Sequence, residues 1–274
     1  MMHRKTVLAG TALVAAVSLA PQIAAAQAAA APEPSPLTAN VTLTSLYKFR
    51  GQDQDVLGSN GNFKTSSVKP ALQGGFDYAH SSGFYVGNWN SSVGWLDGNS
   101  IESDLYGGFK FQGGPIAWDV GVLGYIYPGA TAGNTVEIYG SGTYDTGVAG
   151  AFTAKYSHTV SDDYFNYAGN DGGSGLKGTN TGYFNLAWAM TVAGNVTLKA
   201  AVGYTHLSSD IRGLGYPSFY DYSVGAAYDF GGGLSLGAMV QGASDTGAYE
   251  VTGADGRTVS PNKARFIVAL TKTL

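Results

Sequence analysis

Apolar and polar side chains alternate along most of this chain, from Thr38 to the last residue, Leu274. The alternation falls into about twelve segments separated by turn-forming or polar stretches. In the first segment, the apolar parity consists of Val41, Leu43, Tyr47 and Phe49. Successive side chains of a β-strand point to opposite faces, so this pattern is typical of strands between lipid and a water-filled lumen. We therefore predict an all-β fold, a transmembrane antiparallel up-and-down β-barrel of about 12 strands.

The predicted strands are joined alternately by short turns and longer polar connections. Their expected bounds are 38–50, 67–79, 84–95, 101–111, 116–127, 135–145, 149–160, 182–191, 196–207, 219–230, 234–242 and 263–274. The expected short turns are 80–83, 112–115, 145–148, 192–195 and 231–233. Bacterial outer-membrane barrels place short turns in the periplasm and long loops outside. An even strand number then puts both ends of the barrel on the periplasmic side.

Each predicted strand has a lipid-facing and a lumenal parity. The side chains expected to face lipid are Val41, Leu43, Phe49, Leu72, Phe76, Tyr78, Trp89, Val93, Leu105, Phe109, Val120, Val122, Ile138, Phe152, Phe184, Leu186, Trp188, Leu198, Val202, Tyr222, Val224, Leu236, Val240, Phe266, Val268 and Leu270. Charged residues within the strands fall almost entirely on the other parity. An Arg or Lys facing lipid near the midplane costs about 2–4 kcal/mol, so this asymmetry favours membrane insertion. The soluble alternative, a β-sandwich or lipocalin-like barrel, would expose a more strongly charged polar face.

The first 26 residues predict export. A basic cap of His3, Arg4 and Lys5 precedes the apolar stretch 7–20, and small residues before Gln27 form a cleavage site. The apolar stretch is shorter than the roughly 20 residues that a transmembrane helix needs. We expect a signal peptide at 1–26, removed during general secretory export in a Gram-negative bacterium. A flexible periplasmic leader at 27–37 and the barrel at 38–274 would follow.

Composition and charge narrow the expected partners. The chain has 15 Lys+Arg and 19 Asp+Glu, and loss of the two basic signal residues leaves 13 against 19, a net charge of about −6. This charge and the lack of a basic patch argue against nucleic acid. The chain has no cysteine, phosphate-binding loop or metal-ligand histidine spacing, so we expect no cofactor or metal. The expected partners are outer-membrane lipid, lipopolysaccharide and the barrel-assembly machinery during insertion, and homo-oligomerisation is left open.

A series of short motifs carries a family resemblance. In chain order they are SLYKFRG at 45–51, PALQGGFDY at 70–78, SGFYVG at 82–87, SIESDLY at 100–106, DVG at 119–121, YPGA at 127–130, EIY at 137–139, YS at 156–157 and SDDYF at 161–165. Together they resemble the TorF-family porins, which are outer-membrane proteins. The resemblance is strongest before about residue 165, and it implies a porin-like barrel without indicating a substrate.

Two features depart from that family. The stretch 52–69 is longer than the family's usual first loop, which leaves its conformation open. The chain ends in Leu274, whereas family members commonly end in phenylalanine, a residue typical of outer-membrane assembly signals. Because the alternation continues to the end of the chain, we expect insertion with a weaker signal.

An outer-membrane enzyme is a further alternative. A hydrolase built on a barrel needs a histidine base near a nucleophile at the rim. The mature chain has His80 in a predicted turn, and His158 and His206 on the outward parity near strand ends. These isolated histidines lack a recognisable triad partner, so we expect no enzymatic activity and no catalytic residue.

The lumenal charges are the better functional candidates. The expected lumen-lining set is Lys48, Arg50, Lys69, Asp77, Glu102, Asp104, Lys110, Asp119, Glu137, Lys155, Lys199, Asp221 and Arg265. These charges could form a selectivity ring, or they could pair across neighbouring strands and fill a narrow lumen. The glycine-rich stretch 164–181 could fold inward or extend outside. We predict a porin-like outer-membrane channel for passive diffusion of small polar solutes or ions; the alternative is a non-conducting structural or surface-interaction barrel.

Overall fold

The computed structural model describes residues 35–56, 64, 66, 68–96, 98–169, 173–253 and 255–274. The expected signal peptide and residues 27–34 of the expected leader therefore lie outside the described residues. Twelve long strands form the wall: β1 Leu37–Thr44, β4 Ala71–Ala79, β5 Phe84–Ser92, β6 Ile101–Gly113, β7 Ile116–Ile126, β8 Thr135–Asp145, β9 Ala151–Thr159, β10 Gly182–Ala193, β11 Val196–His206, β12 Phe219–Gly231, β13 Leu234–Ala243 and β16 Arg265–Thr273. Two short hairpins, β2 Lys48–Phe49 with β3 Gln52–Asp53 and β14 Val251–Thr252 with β15 Thr258–Val259, lie outside the wall sheet.

The wall is a closed antiparallel barrel, as the alternation predicts. Each long strand pairs with its neighbours in chain order, and β1 closes the barrel against β16, with Thr42 opposite Thr271. The short turns lie at the same end as both ends of the wall, here called the turn end. The long connections lie at the opposite end, here called the loop end. The predicted strand order and the alternation of turn lengths are therefore confirmed.

Exposure identifies the outer face of the wall. Most of the side chains assigned to lipid are exposed, including Leu43 at 57%, Val224 at 59% and Phe266 at 65%. The inward positions carry small, polar and tyrosine side chains, many of them buried. The strand parities are therefore correct for most of the wall.

The parity assigned to β5 is wrong. Trp89 and Val93, expected to face lipid, are 5% and 7% exposed inside the barrel, where Trp89 packs edge-on against Tyr47. The outward positions include Asn88 and Asn90, which donate to Ser103 and to Asn88, respectively. Because these hydrogen bonds satisfy the amides of Asn88 and Asn90, the two asparagines can occupy the outer face, and Trp89 between them then points into the barrel.

The first predicted strand is also too long. The wall strand ends at Thr44, and residues 45–56, here called the inner segment, turn into the barrel before the chain returns to the wall at Ala71. The hairpin in this segment turns at Arg50 (φ 46°) and Gly51 (φ 77°), and a Cβ on Gly51 would lie 2.5 Å from the carbonyl oxygen of Gly242. Tyr47 and Phe49 were assigned to the apolar outer face, but they lie inside the barrel.

The connections at the loop end pack against one another. Tyr167 of connection 160–181, Tyr216 of connection 207–218 and Tyr249 of connection 244–264 make ring contacts at 5.3–6.3 Å between centroids. Helix α1, Ser209–Gly213, is capped by the Ser208 hydroxyl, which accepts from the Ile211 amide. A single 3-10 turn, Thr131–Gly133, precedes β8. In the described part of the chain, no helix is both long and apolar enough to cross a membrane.

Candidate functional site: the barrel interior

Three cationic side chains surround one carboxylate in the inner segment. Asp53 lies 2.7 Å from the Lys48 ammonium, 3.3 Å from the Lys69 ammonium and 3.7 Å from Nε of Arg265. The backbone of the segment is held as well, since the Asp53 amide donates to the Pro261 carbonyl at 3.0 Å. The Asp53 cluster thus ties the inner segment to β16 and to Lys69, two residues before β4.

A second ion pair ties the inner segment to the opposite wall. Arg50 donates to Glu137 of β8 at 2.7 Å and to the Tyr164 hydroxyl at 3.2 Å, and its guanidinium lies 4.2 Å from the Tyr183 ring centroid. The side chains of Arg50 and Glu137 are 4% and 2% exposed. Tyr164 and Phe165 are buried beside this pair, so the first part of connection 160–181 folds inward.

Two tyrosines donate to one of the two buried carboxylates of β6. Glu102 accepts from the hydroxyls of Tyr47 at 2.8 Å and Tyr127 at 2.5 Å. Asp104, two residues further along β6, is 2% exposed, and its Oδ1 has no hydrogen-bond partner among the described residues.

The tyrosines of β5 and β6 lie flat across glycines of the neighbouring strand. Two Tyr-x-Gly motifs run antiparallel, so that Tyr85 is opposite Gly108 and Tyr106 is opposite Gly87. A Cβ on Gly87 would lie 2.3 Å from the Tyr106 ring. The Tyr106 hydroxyl reaches across the glycine and donates to Asp77 of β4 at 2.6 Å. Glycine at this position therefore allows a tyrosine of one strand to bind a carboxylate two strands away.

A neighbouring row joins two tyrosines head to head. Tyr85, Gly108, Gly121 and Tyr139 are paired in sequence across β5 to β8. The hydroxyls of Tyr85 and Tyr139 are hydrogen-bonded to each other, and Tyr85 donates to Asp119 at 2.7 Å. The two rings thus form one continuous surface over the two glycines.

The next inward row carries alternating charges. Its paired residues, from β6 to β12, are Lys110, Asp119, Ser141, Lys155, Asn185, Gly203 and Asp221. The Lys110 ammonium lies 4.6 Å from the Tyr85 ring centroid, and the Lys155 ammonium lies 3.9 Å from that of Tyr139. At the far end, Asp221 accepts from the Tyr183 hydroxyl at 3.2 Å.

The structure brings most of the expected lumen-lining residues into contact networks. Lys48 and Arg50 do so from the inner segment rather than from the wall, and Lys69 lies just before β4. Nine of the thirteen are 9% exposed or less, and the half-buried residues are Asp77, Lys110, Lys199 and Arg265. A cavity of about 20 Å³ beside Leu46 and Met239 has room for about one water molecule. At the level of the inner segment, side chains therefore fill much of the interior.

Sequence reasoning missed several residues of this site. Asp53 was not among the expected lumen-lining residues, Tyr47 was placed on the apolar parity, and the lumenal tyrosines Tyr85, Tyr106 and Tyr183 were not assigned a role. The reciprocal Tyr-x-Gly motifs of β5 and β6 are the signal that could have found two of them. No local pattern indicates that Asp53 pairs with a cation more than 200 residues later.

The histidines lie outside these networks. His80 Nδ1 is 2.7 Å from the Ser82 hydroxyl in a turn, and His158 Nδ1 is 3.3 Å from the Tyr156 hydroxyl on the outer face. Across the described ranges, no group of three or more His, Asp or Glu side chains is arranged to hold a metal ion.

A family model described as "bacterial protein of unknown function (Gcw_chp)" matches residues 27–274. The chain belongs to the Gcw_chp family. This match covers the whole barrel of the Gcw_chp protein, and the TorF-family name is not confirmed by it. No curated protein matches the sequence significantly.

Solved structures share the fold of the Gcw_chp protein. One is the "KdgM porin in complex with disordered oligogalacturonate", with a TM-score of 0.53, 9% identity, and coverage of 86% of this chain and 98% of that chain. Another is the NanC porin, with a TM-score of 0.52, 9% identity, and the same two coverages. At this identity the likeness concerns the fold, a closed antiparallel barrel, and not the solute.

Proposed function

We propose that this Gcw_chp protein is a porin-like channel of the bacterial outer membrane, with a constricted lumen that passes small polar solutes or ions by diffusion. The observation that carries the proposal is the division of the wall into an apolar outer face and an inner face with charged residues on most strands. A closed barrel leaves no unpaired sheet edge, so such a wall can be stable in hydrocarbon. Charged and hydroxyl groups inside can replace part of the hydration of a passing solute.

The inner segment is the proposed constriction. It crosses the lumen from Leu46, which packs with Met239 and Ile267, to Arg50, which pairs with Glu137 on the opposite wall. The buried ion pairs at both sides fix the segment, so we expect a narrow passage and small current steps. The likeness to the KdgM and NanC porins, although limited to the fold, is consistent with a channel.

The proposal includes location and partners. We infer removal of residues 1–26 after general secretory export and insertion by the barrel-assembly machinery. The exposed apolar belt would contact outer-membrane lipid, and the loop end would face outside, beside lipopolysaccharide. In that orientation the turn end lies in the periplasm.

A second candidate function is a non-conducting barrel with a structural or surface role. The observation that favours it is the burial of Asp53, Arg50 and Glu137 in ion pairs that hold the inner segment across the lumen. The two candidates differ in whether the inner segment leaves a water-filled path beside it.

Planar-bilayer recording on two proteins separates these candidates. The first is the mature chain, and the second replaces residues 46–56 with a Gly-Ser linker of equal length, which leaves the pairing of β1 with β4 intact. Small discrete steps from the mature chain and larger steps from the linker variant are the expected result. Silence from the mature chain with large steps from the variant would favour the non-conducting candidate. Silence from both would refute the channel.

A further inference from the structure

Two lumenal lysines differ from the other buried cations. Lys48, Arg50, Lys69 and Arg265 each lie within 4.0 Å of a carboxylate oxygen. Among the described residues, no carboxylate oxygen lies that close to the ammonium groups of Lys110 and Lys155, whose recorded contacts are the faces of Tyr85 and Tyr139. An ammonium group has three donors, and a ring face does not replace hydrogen-bond acceptors for all of them. These two ammonium groups therefore retain capacity to bind an anion.

The two lysines lie along one stretch of the inner wall. They occupy a single inward row, on β6 and β9, and the tyrosines below them occupy the next row, on β5 and β8. Because the two tyrosine hydroxyls are hydrogen-bonded to each other, the rings and the ammonium groups over them belong to one surface. Gly108 and Gly121 lie beneath the two rings, where a Cβ on either would come within 2.6 Å of a tyrosine hydroxyl oxygen, so the rings can lie there only because both residues are glycine.

The carboxylates near these lysines already accept hydrogen bonds. Asp119, which lies between the lysines in their row, accepts from the Tyr85 hydroxyl at 2.7 Å. Glu137 is paired with Arg50 at 2.7 Å, and Asp77 accepts from Tyr106 at 2.6 Å. Because the tyrosine hydroxyls that donate to Asp119 and Asp77 are neutral, both carboxylates keep their charges, and two ammonium groups lie near two carboxylates. The lysines would therefore bind an anion through their free hydrogen-bond donors and not through an excess of positive charge. An anionic group could accept from both lysines without breaking one of these hydrogen bonds.

The burial of the two lysines is consistent with such a site. Lys155 is 6% exposed and Lys110 is half-buried, in a wall where nearby inward positions are small, such as Ser141 and Gly121. Electrostatic attraction is stronger at a partly buried site than in bulk water, because the surroundings screen less.

We propose that Lys110 and Lys155 form a lumenal binding site for an anionic group, a carboxylate or sulfate, of a solute in the barrel. The inference deepens the proposed channel function, on which it rests for its physiological meaning, and it makes anions the preferred solute class. Tyr85 and Tyr139 act as positioning residues, since the two ammonium groups lie over their rings. Asp119 limits the affinity, because its charge opposes that of the ligand.

Sulfate is a suitable probe, and equilibrium dialysis of the mature chain in detergent measures its binding without requiring conduction. The variants are Lys110→Gln and Lys155→Gln, and the matched control is Lys263→Gln, which removes the same charge from an exposed position at the loop end. We expect the mature chain and the control to bind sulfate at one saturable site, and each lumenal variant to bind at least about tenfold more weakly. Asp119→Asn should bind more tightly than the mature chain.

The outcomes distinguish the two proposals. Equal sulfate binding by the mature chain and both lumenal variants, or no saturable binding by the mature chain, would overturn the anion site. Binding that depends on both lysines would support the site even if bilayer recordings show no current, in which case the channel alone would fail. Where current is observed, the reversal potential in a salt gradient should shift toward cations in Lys155→Gln and stay unchanged in Lys263→Gln.

Discussion

Tyr85 and Tyr139 meet hydroxyl to hydroxyl across two intervening strands, which is feasible only because the residues between them, Gly108 and Gly121, have no side chains. A Cβ on Gly121 would lie 2.6 Å from both the Gly107 carbonyl oxygen and the Tyr139 hydroxyl. The position of the two tyrosine rings therefore depends on glycine at both intervening positions.

Gly121→Ala should destabilise the barrel by about 1–3 kcal/mol, since the added methyl group collides with backbone and displaces the Tyr139 ring. Gly140→Ala is the matched control, because its Cβ would have only the Val120 methyl group nearby, at 4.0 Å. Urea unfolding of both variants in detergent, followed by tyrosine and tryptophan fluorescence, measures the difference. Equal midpoints for the two variants would contradict the proposed tight contact.

Arg50→Gln should loosen the inner segment. The change leaves the Glu137 carboxylate buried without its cation, and breaking a buried pair costs about 3–5 kcal/mol. We expect faster hydrogen exchange across residues 45–56 and, in the bilayer, a larger conductance. Arg257→Gln serves as the control, since Arg257 makes an exposed contact with Asp255 at 3.7 Å. Unchanged exchange in Arg50→Gln would show that this pair does not hold the segment.

Asp53→Asn should be more destabilising than Asp55→Asn. The first change removes the charge that Lys48, Lys69 and Arg265 share in a buried cluster, whereas the second affects a pair whose Lys64 side chain is 42% exposed. The expected losses are about 3–5 kcal/mol for the buried cluster and at most about 1 kcal/mol for the exposed pair. Thermal unfolding scans of the two variants give the comparison, and a reversed order would contradict the assigned role of Asp53.

The packed tyrosines at the loop end predict a dependence on alkaline pH. Burial raises the pKa of Tyr167 and of Tyr249 above the ordinary value of 10.0. A group whose pKa is raised on folding contributes its stability fully below the ordinary pKa, and the contribution is lost as pH rises through the folded value. Contacts among the loop-end connections should therefore weaken as pH rises above 10.0.

Limited proteolysis at increasing pH, with cleavage sites mapped by mass spectrometry, checks this expectation. Cleavage in connections 160–181 and 244–264 should increase above the ordinary tyrosine pKa. Tyr167→Phe keeps the ring and removes the ionisable hydroxyl, so it should shift the onset of cleavage in these connections to higher pH. The same onset in both proteins would mean that Tyr167 does not control the contacts.

The wall was predictable from the sequence because period-two alternation reports a local property, the two faces of a strand. The failures occur where that property is ambiguous. Tyr47 and Phe49 continue the alternation of β1 although the chain has left the wall, because an aromatic side chain can pack either against lipid or against other aromatic rings inside the barrel. Trp89 was also misassigned. Its polar neighbours Asn88 and Asn90 face outward, because hydrogen bonds satisfy their amides there, and the tryptophan packs inside the barrel.

The interior was predictable only in part. The parity rule correctly directs Lys110, Asp119 and Lys155 inward, because each belongs to a regular strand. Their partners depend on the register across several strands and on the path of the inner segment, which local patterns do not determine. Asp53 illustrates this limit, because two of its three cationic partners lie near it in sequence but the third, Arg265, belongs to the last strand.

The attachment of the inner segment also constrains the order of assembly. The segment lies between the first two wall strands in sequence, yet Lys48 and the Asp53 amide both bind the Pro261 carbonyl, and Gln52 binds Asn262, next to the final strand. Those partners become available only when the last part of the chain has reached its place. A barrel still missing its C-terminal strand would thus hold the inner segment by fewer contacts, and its attachment to the last part of the chain would form as the final step of maturation.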